Sequence, residues 1–184
     1  MNTNFLLLIL LILKSLYIPL NHRTPRFYWK FPLDDRIPLI EFFVIPYTAY
    51  VLYLILSVIF LWKTPHINNI LLGLIFSYLI SSVIWYFFPN GVKRPVISGN
   101  KLLHRLLKFI YHHDHDSNGL PSAHVFVTLI CSFYLSFVYF QYAPFIWIIA
   151  FSIILSTLFT KQHYLVDILG GAMVSLLVVL IVGI

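Results

Sequence analysis

Lys161-Gln162-His163-Tyr164-Leu165-Val166-Asp167 opens a run that stays apolar as far as Ile184. The run 164–184 is long enough to cross a bilayer, which takes about 20 apolar residues. His163 and Asp167 are four residues apart, so on a helix they share one face and can touch. An ionisable pair is costly to keep inside a membrane segment and marks a functional site by default. A second histidine, in Pro121-Ser122-Ala123-His124, opens another long apolar stretch. Two imidazoles, one with a carboxylate beside it, supply an acid, a nucleophile and an orienting group.

Composition sets the class. Of the 184 residues, 60% are hydrophobic, 18% aromatic and 10% charged, with a mean hydropathy of +0.91. Soluble domains carry about 25% charged residues, so an integral, multi-pass membrane protein is expected, built as a single domain over 1–184. The formal charge of +6 would suit nucleic acid. Its cations lie in loops between apolar spans, however, where they suit lipid headgroups, and no nucleic-acid partner is expected. Cys131 is the only cysteine and falls mid-span, so no intramolecular disulfide can form. The first four residues carry no basic group and no small-x-small site follows, so a cleavable signal peptide is not expected.

The apolar pattern predicts an all-α membrane protein of six transmembrane helices in one bundle. The spans are 5–20, 39–62, 67–88, 121–142, 144–160 and 164–184, with a kink expected at Pro46. Gly170-Gly171 would let a neighbouring helix approach the sixth span. Six spans place the connections 21–38, 89–120 and the turn around Lys161 on one face, and every polar residue of interest falls there. The second of these connections contains Leu102, Leu103, Leu106, Phe109 and Ile110 at near-helical spacing, interleaved with Lys101, Arg105 and Lys108. A short interfacial helix before the fourth span is predicted. At the mouth of that span Ser122 is a good N-cap, and a helix N-terminus is a ready anion cradle. The guanidinium of Arg94 would complete a phosphate site.

Arg94-Pro95, Pro121-Ser122-Ala123-His124 and His163-x-x-x-Asp167, in this order, resemble the three signature motifs of the type 2 phosphatidic acid phosphatase superfamily. The stretch Ser156-Thr157-Leu158-Phe159-Thr160-Lys161-Gln162-His163-Tyr164 looks most like the inositol phosphorylceramide synthase-like branch. The motif-bearing core runs over 89–171. The resemblance implies that His163 is a nucleophile forming a phospho-histidine and that Asp167 holds its ring. It implies that His124 is the general acid and then base. Arg94 and Ser122 would hold the phosphoryl oxygens. The scheme needs no metal or other cofactor.

Two positions depart from the family pattern. It has a lysine seven residues before Arg94, where this chain has Phe87, and an arginine six residues before His163, where this chain has Thr157. A phosphate monoester carries nearly two charges at neutral pH and a diester one, so losing two cations favours a diester substrate. Lys161 is a candidate replacement for one of them. The expectation is therefore a membrane lipid phosphotransferase or phosphodiesterase acting on a phospholipid or sphingolipid. The alternatives are a lipid phosphate phosphatase releasing inorganic phosphate and a non-catalytic lipid-binding membrane protein.

Simpler roles stand beside each assignment. His163 with Asp167 could clamp helices, His124 could be interfacial, Arg94 and Lys161 could flank the membrane, and Ser122 could only cap. The cluster His112–Asp116 has metal-binding residue types, yet a solvated turn accounts for it. Ten of the twelve Lys and Arg lie on the site face. The positive-inside rule then puts the site in the cytoplasm, whereas the family faces it the other way. The sequence leaves the side of the membrane, and the oligomeric state, open.

Overall fold

The computed structural model describes residues 2–183. Eight α-helices follow in order: α1 (Thr3–Ser15), α2 (Tyr17–Asn21), α3 (Val44–Leu61), α4 (Ile67–Phe87), α5 (Leu102–His113), α6 (Ala123–Val138), α7 (Ala143–Phe159) and α8 (Leu165–Val182). Among the described residues no strand forms, and the one β-bridge pairs Phe27 with Asn90.

Among the described residues five segments are long and apolar enough to cross a membrane: Thr3–Asn21, Glu41–Leu61, Ile67–Phe87, Phe140–Phe159 and Leu165–Val182. The expected count of six is thus not met by length. The exception is α6, which has 16 residues where the sequence suggested a span over 121–142. At 1.5 Å per residue it is about 24 Å long, short of a hydrocarbon core of about 30 Å. Ser122 is extended at its start and the chain leaves the helix at Tyr139. Its apolar character has another cause. This is the central helix, packed on α3, α4, α7 and α8, and Phe126, Val127, Ile130 and Tyr134 are wholly inaccessible.

Proline sets two boundaries. Pro19 has no N–H for the Ser15 carbonyl and its ring crowds that turn, and the first span is interrupted at Leu16 between α1 and α2. Pro46 is the third residue of α3, preceded by a 3₁₀ turn at Glu41–Phe43. In the first turn its missing N–H costs nothing, so Pro46 sits at the start of α3 instead of interrupting it.

Glycine sets the spacing of α8. A Cβ on Gly171 would lie 2.8 Å from the Ser122 carbonyl oxygen and 2.8 Å from Val125 Cβ, and one on Gly170 would meet Leu120 Cδ1 at 2.2 Å. The first turn of α8 is thereby pressed against the start of α6.

Three connections are tied together. Asn21 receives the His115 N–H and donates to the His115 and Ser117 carbonyls. Arg26 N–H donates to Pro89 O at 2.7 Å, and Ile40 N–H to Phe159 O at 2.9 Å. The helix expected over 101–111 forms as α5, with Leu107 and Ile110 buried against Val44 and Tyr47.

Overpacking a tight core contact costs about 1–3 kcal/mol. Gly171→Val is therefore expected to lower the thermal midpoint in detergent by several degrees. Gly73→Ala, whose new methyl meets nothing closer than Ile130 Cγ2 at 3.4 Å, should leave it nearly unchanged. Equal midpoints for the two variants would contradict the close α6–α8 approach.

Candidate active site

The turn into α8 carries His163. Lys161 adopts a left-handed φ of 54°, and the Thr157 carbonyl then accepts two N–H groups, Gln162 at 2.9 Å and His163 at 3.1 Å. Tyr164 is extended and α8 begins at Leu165. Asp167, in the first turn, accepts the Tyr164 N–H on Oδ2 at 2.8 Å, and the same oxygen lies 3.3 Å from His163 Nδ1. The carboxylate is buried and the imidazole is 9% exposed. A carboxylate at a helix N-terminus is favoured by the exposed N–H groups there.

His124 is in the first turn of α6. Its ring lies between Tyr47 and Tyr50 of α3, at centroid distances of 4.4 and 4.2 Å. On the other side it faces His163, ring centroids 5.9 Å apart and inclined by 63°. Ser122 joins the two helices, its N–H donating to the Asp167 backbone carbonyl at 3.1 Å. Its hydroxyl is buried without a protein partner and does not cap α6. The first helical N–H in α6 to find a carbonyl is that of Phe126. Those of Ala123, His124 and Val125 are the free donors that every helix start presents.

Arg94 reaches this group through Gln162, whose Oε1 accepts from Nη2. The guanidinium also donates to the carbonyls of Tyr111, Asp114 and His115 and lies over the Tyr111 ring, leaving Nε buried and unpartnered. Burial pushes the Tyr111 phenol up to about 12, although Arg94 pulls it the other way. It stays neutral and donates to Thr160 O at 2.8 Å. Lys161 is engaged elsewhere: its ammonium donates to the carbonyls of Asp34, at 3.0 Å, and Ile37. Burial lowers its pKa, against the opposite influence of Asp34 and Asp35. Phe87 is exposed and Thr157 inaccessible at the two departing positions.

The His112–Asp116 segment does not converge on a point. Asp114 accepts the hydroxyls of Tyr17 and Tyr47, His113 faces the Phe109 carbonyl, and His115 stacks on His22. Among the described residues no three His, Cys, Asp or Glu side chains are grouped to hold a metal ion.

Of the six expected residues, His163, Asp167, His124 and Ser122 thus come together directly. Arg94 joins through Gln162, and Lys161 binds the first connection.

A family model described as the PAP2 superfamily matches residues 68–183. The chain belongs to the PAP2 superfamily. Members of that superfamily are typically phosphatases, and membership points to a phosphatase or phosphotransferase type of lipid-related function. No curated protein and no solved structure matches the chain. The match takes in α4 to α8 and therefore the whole group from Asn90 to Asp167, and it leaves out α1 to α3.

Gln162, Asn90 and Asp34 of this PAP2 protein were given no role from the sequence. Gln162, Asn90 and Asn118 are buried, and each keeps one polar side-chain atom without a protein partner. Buried polar atoms are nearly always paired, so such atoms beside the two histidines are suited to a ligand. Gly119 passes so close that a Cβ there would lie 2.9 Å from Asn90 Nδ2 and 3.0 Å from Asp167 Oδ2. Asp34 accepts the Leu165 N–H at 2.9 Å and the Phe31 N–H at 2.7 Å, fixing the start of α8 from outside the family match. The available signal was general: a polar side chain inside an otherwise apolar chain.

Loss of such a helix-start acceptor typically costs about 1 kcal/mol. Asp34→Ala is expected to lower the thermal midpoint and to loosen the α8 start, read as faster amide hydrogen exchange at Leu165. Unchanged exchange there would refute the role given to Asp34.

Proposed function

We propose that the chain is a metal-independent lipid phosphotransferase or phosphodiesterase that cleaves a phospholipid or sphingolipid headgroup through a phospho-histidine. The observation that carries this reading is the facing pair of rings, His124 and His163, 5.9 Å apart, with Asp167 behind the second. Asp167 holds Nδ1 as the protonated nitrogen and leaves the Nε2 lone pair for phosphorus. Nε2 attacks, the bond from phosphorus to the leaving oxygen breaks, and protonated His124 gives that oxygen its proton. Neutral His124 then takes a proton from an incoming hydroxyl, which attacks phosphorus and frees His163. Ser122, the N–H groups at the start of α6 and Arg94 Nε stabilise the phosphoryl oxygens as charge shifts onto them.

Charge argues for a diester. Phe87 and Thr157 stand where two cations would be, and Lys161 is occupied by two carbonyls, so we assign it to holding the loop. The cradle is then poor in cations for a monoester with nearly two charges. The competing reading, a phosphatase releasing inorganic phosphate, has the family's typical activity on its side. The stretch Ser156–Tyr164 is what favours the inositol phosphorylceramide synthase-like branch.

In this reading the whole chain works as one domain in the bilayer, with α6 as a sixth, short span sheltered by its neighbours. α5 lies at the interface, exposing Leu102 and Phe109 toward lipid.

The test uses purified protein in detergent with EDTA, offered labelled phosphodiester lipids and phosphatidic acid. A phosphorylated headgroup or an exchanged lipid is expected from the diesters, with little free phosphate from the monoester. His163→Ala should abolish turnover, and His124→Ala should lower it by about 10²–10⁴-fold. Turnover that survives His163→Ala, or faster release of phosphate from phosphatidic acid, would overturn the reading.

A further inference from the structure

The His163 ring meets Asp167, whereas no hydrogen bond among the described residues reaches the ring of His124. What holds the second imidazole is aromatic. Tyr47 and Tyr50, three residues apart on α3, flank it at centroid distances of 4.4 and 4.2 Å, inclined by 24° and 38°. Stacked rings have a preferred geometry, so a phenol on each side restricts rotation of the imidazole between them.

The two phenols are anchored differently. The Tyr50 hydroxyl lies 3.4 Å from that of Tyr78, on α4. The Tyr47 hydroxyl donates to Asp114 Oδ2 at 2.9 Å, and its ring is buried with Leu107 and Ile110 of α5. Asp114 Oδ1 accepts the Tyr17 hydroxyl at 2.9 Å, and Tyr17 is braced edge-on by Trp85 at 5.5 Å. Asp114 also ends α5, and its backbone carbonyl accepts from Arg94 Nη1. One residue thus meets the guanidinium through its main chain and His124 through Tyr47. Packing alone does not require this, because phenylalanine at 47 would fill the same space. A buried phenol needs a partner, and a buried carboxylate is costly unless its oxygens are satisfied.

We propose that Tyr47 is a positioning residue for His124 and that Asp114 sets Tyr47. Asp114 fixes the phenol, the two flanking rings hold the imidazole toward the leaving oxygen, and the Asp114 carbonyl keeps Arg94 in register with it. The catalytic consequence rests on the reading of His124 as acid and then base. The clamp itself does not. Tyr47 and Tyr50 are outside residues 68–183, so family membership does not supply it.

Two conservative variants test it in the full chain. Tyr47→Phe keeps the ring and removes only the hydroxyl, and Asp114→Asn removes the charge while leaving the backbone carbonyl for Arg94. Each is expected to lower kcat on the diester lipid about tenfold with KM within about twofold, since a small displacement of a reacting group costs rate. In a His124→Ala background neither should lower turnover further, because residues that act through one group are not additive. An unchanged kcat in the otherwise wild-type chain, or the full tenfold loss repeated in His124→Ala, would overturn the proposal. A second readout needs no turnover. In NMR spectra of protein carrying isotope-labelled histidine, the His124 signal is the one lost in His124→Ala. The flanking phenols should shift it upfield, and Tyr47→Phe and Asp114→Asn should both move it back or broaden it, with His163 present or replaced by alanine. A His124 signal identical in the wild type and both variants would overturn the clamp. Turnover that survives His163→Ala would defeat the phospho-histidine reading instead and leave that signal where it is.

Discussion

A carboxylate and an imidazole buried at the start of one membrane helix, and facing a second imidazole at the start of another, are the constraint on which the rest of this fold depends. Burying such groups is costly unless each polar atom is satisfied. Asp167 is satisfied by the Tyr164 N–H and His163, and its position requires α8 to begin at Leu165. His124 and His163 come within one small ligand's width only because Gly170 and Gly171 admit the Leu120–Val125 segment against α8. The fold thus brings two helix starts together, and each contributes both a ring and a positive dipole end.

The surrounding connections serve the same arrangement. The first connection reaches the start of α8 through Asp34 and the turn before it through Lys161. The second reaches it through Arg94 and Gln162. Much of the cationic side-chain capacity near the centre is taken up by backbone carbonyls in holding these loops. On the proposed function, a site organised this way suits a substrate that brings little negative charge. The chain's departures at Phe87 and Thr157 and its internal hydrogen bonding point in the same direction.

The pairing of His163 with Asp167 was expected from four-residue spacing on a helix; the contact forms, but His163 precedes α8 and reaches Asp167 from the turn before it. The apolar runs gave most helices to within a few residues, and the amphipathic pattern located α5. What the runs could not give was the role of α6. A helix buried on all sides by protein and one bathed in lipid have the same apolar composition, so its shorter length was hidden. Pro46 showed a similar limit: the residue was evident, but whether it fell in a first turn or mid-helix depended on where α3 begins. Gln162, Asn90 and Asp34 escaped notice because their partners are up to 131 residues away, and no local pattern encodes such pairings. The carbonyl partners of Lys161 in the first connection were hidden for the same reason.

The most direct measurement of the central claim is an experimental structure of the protein with orthovanadate, which takes on the five-coordinate geometry of phosphoryl transfer. The account predicts vanadium bonded to His163 Nε2, with His124 on the opposite side and Ser122 at an equatorial oxygen. Vanadate found away from both rings, or held with His163 turned off the metal, would contradict it.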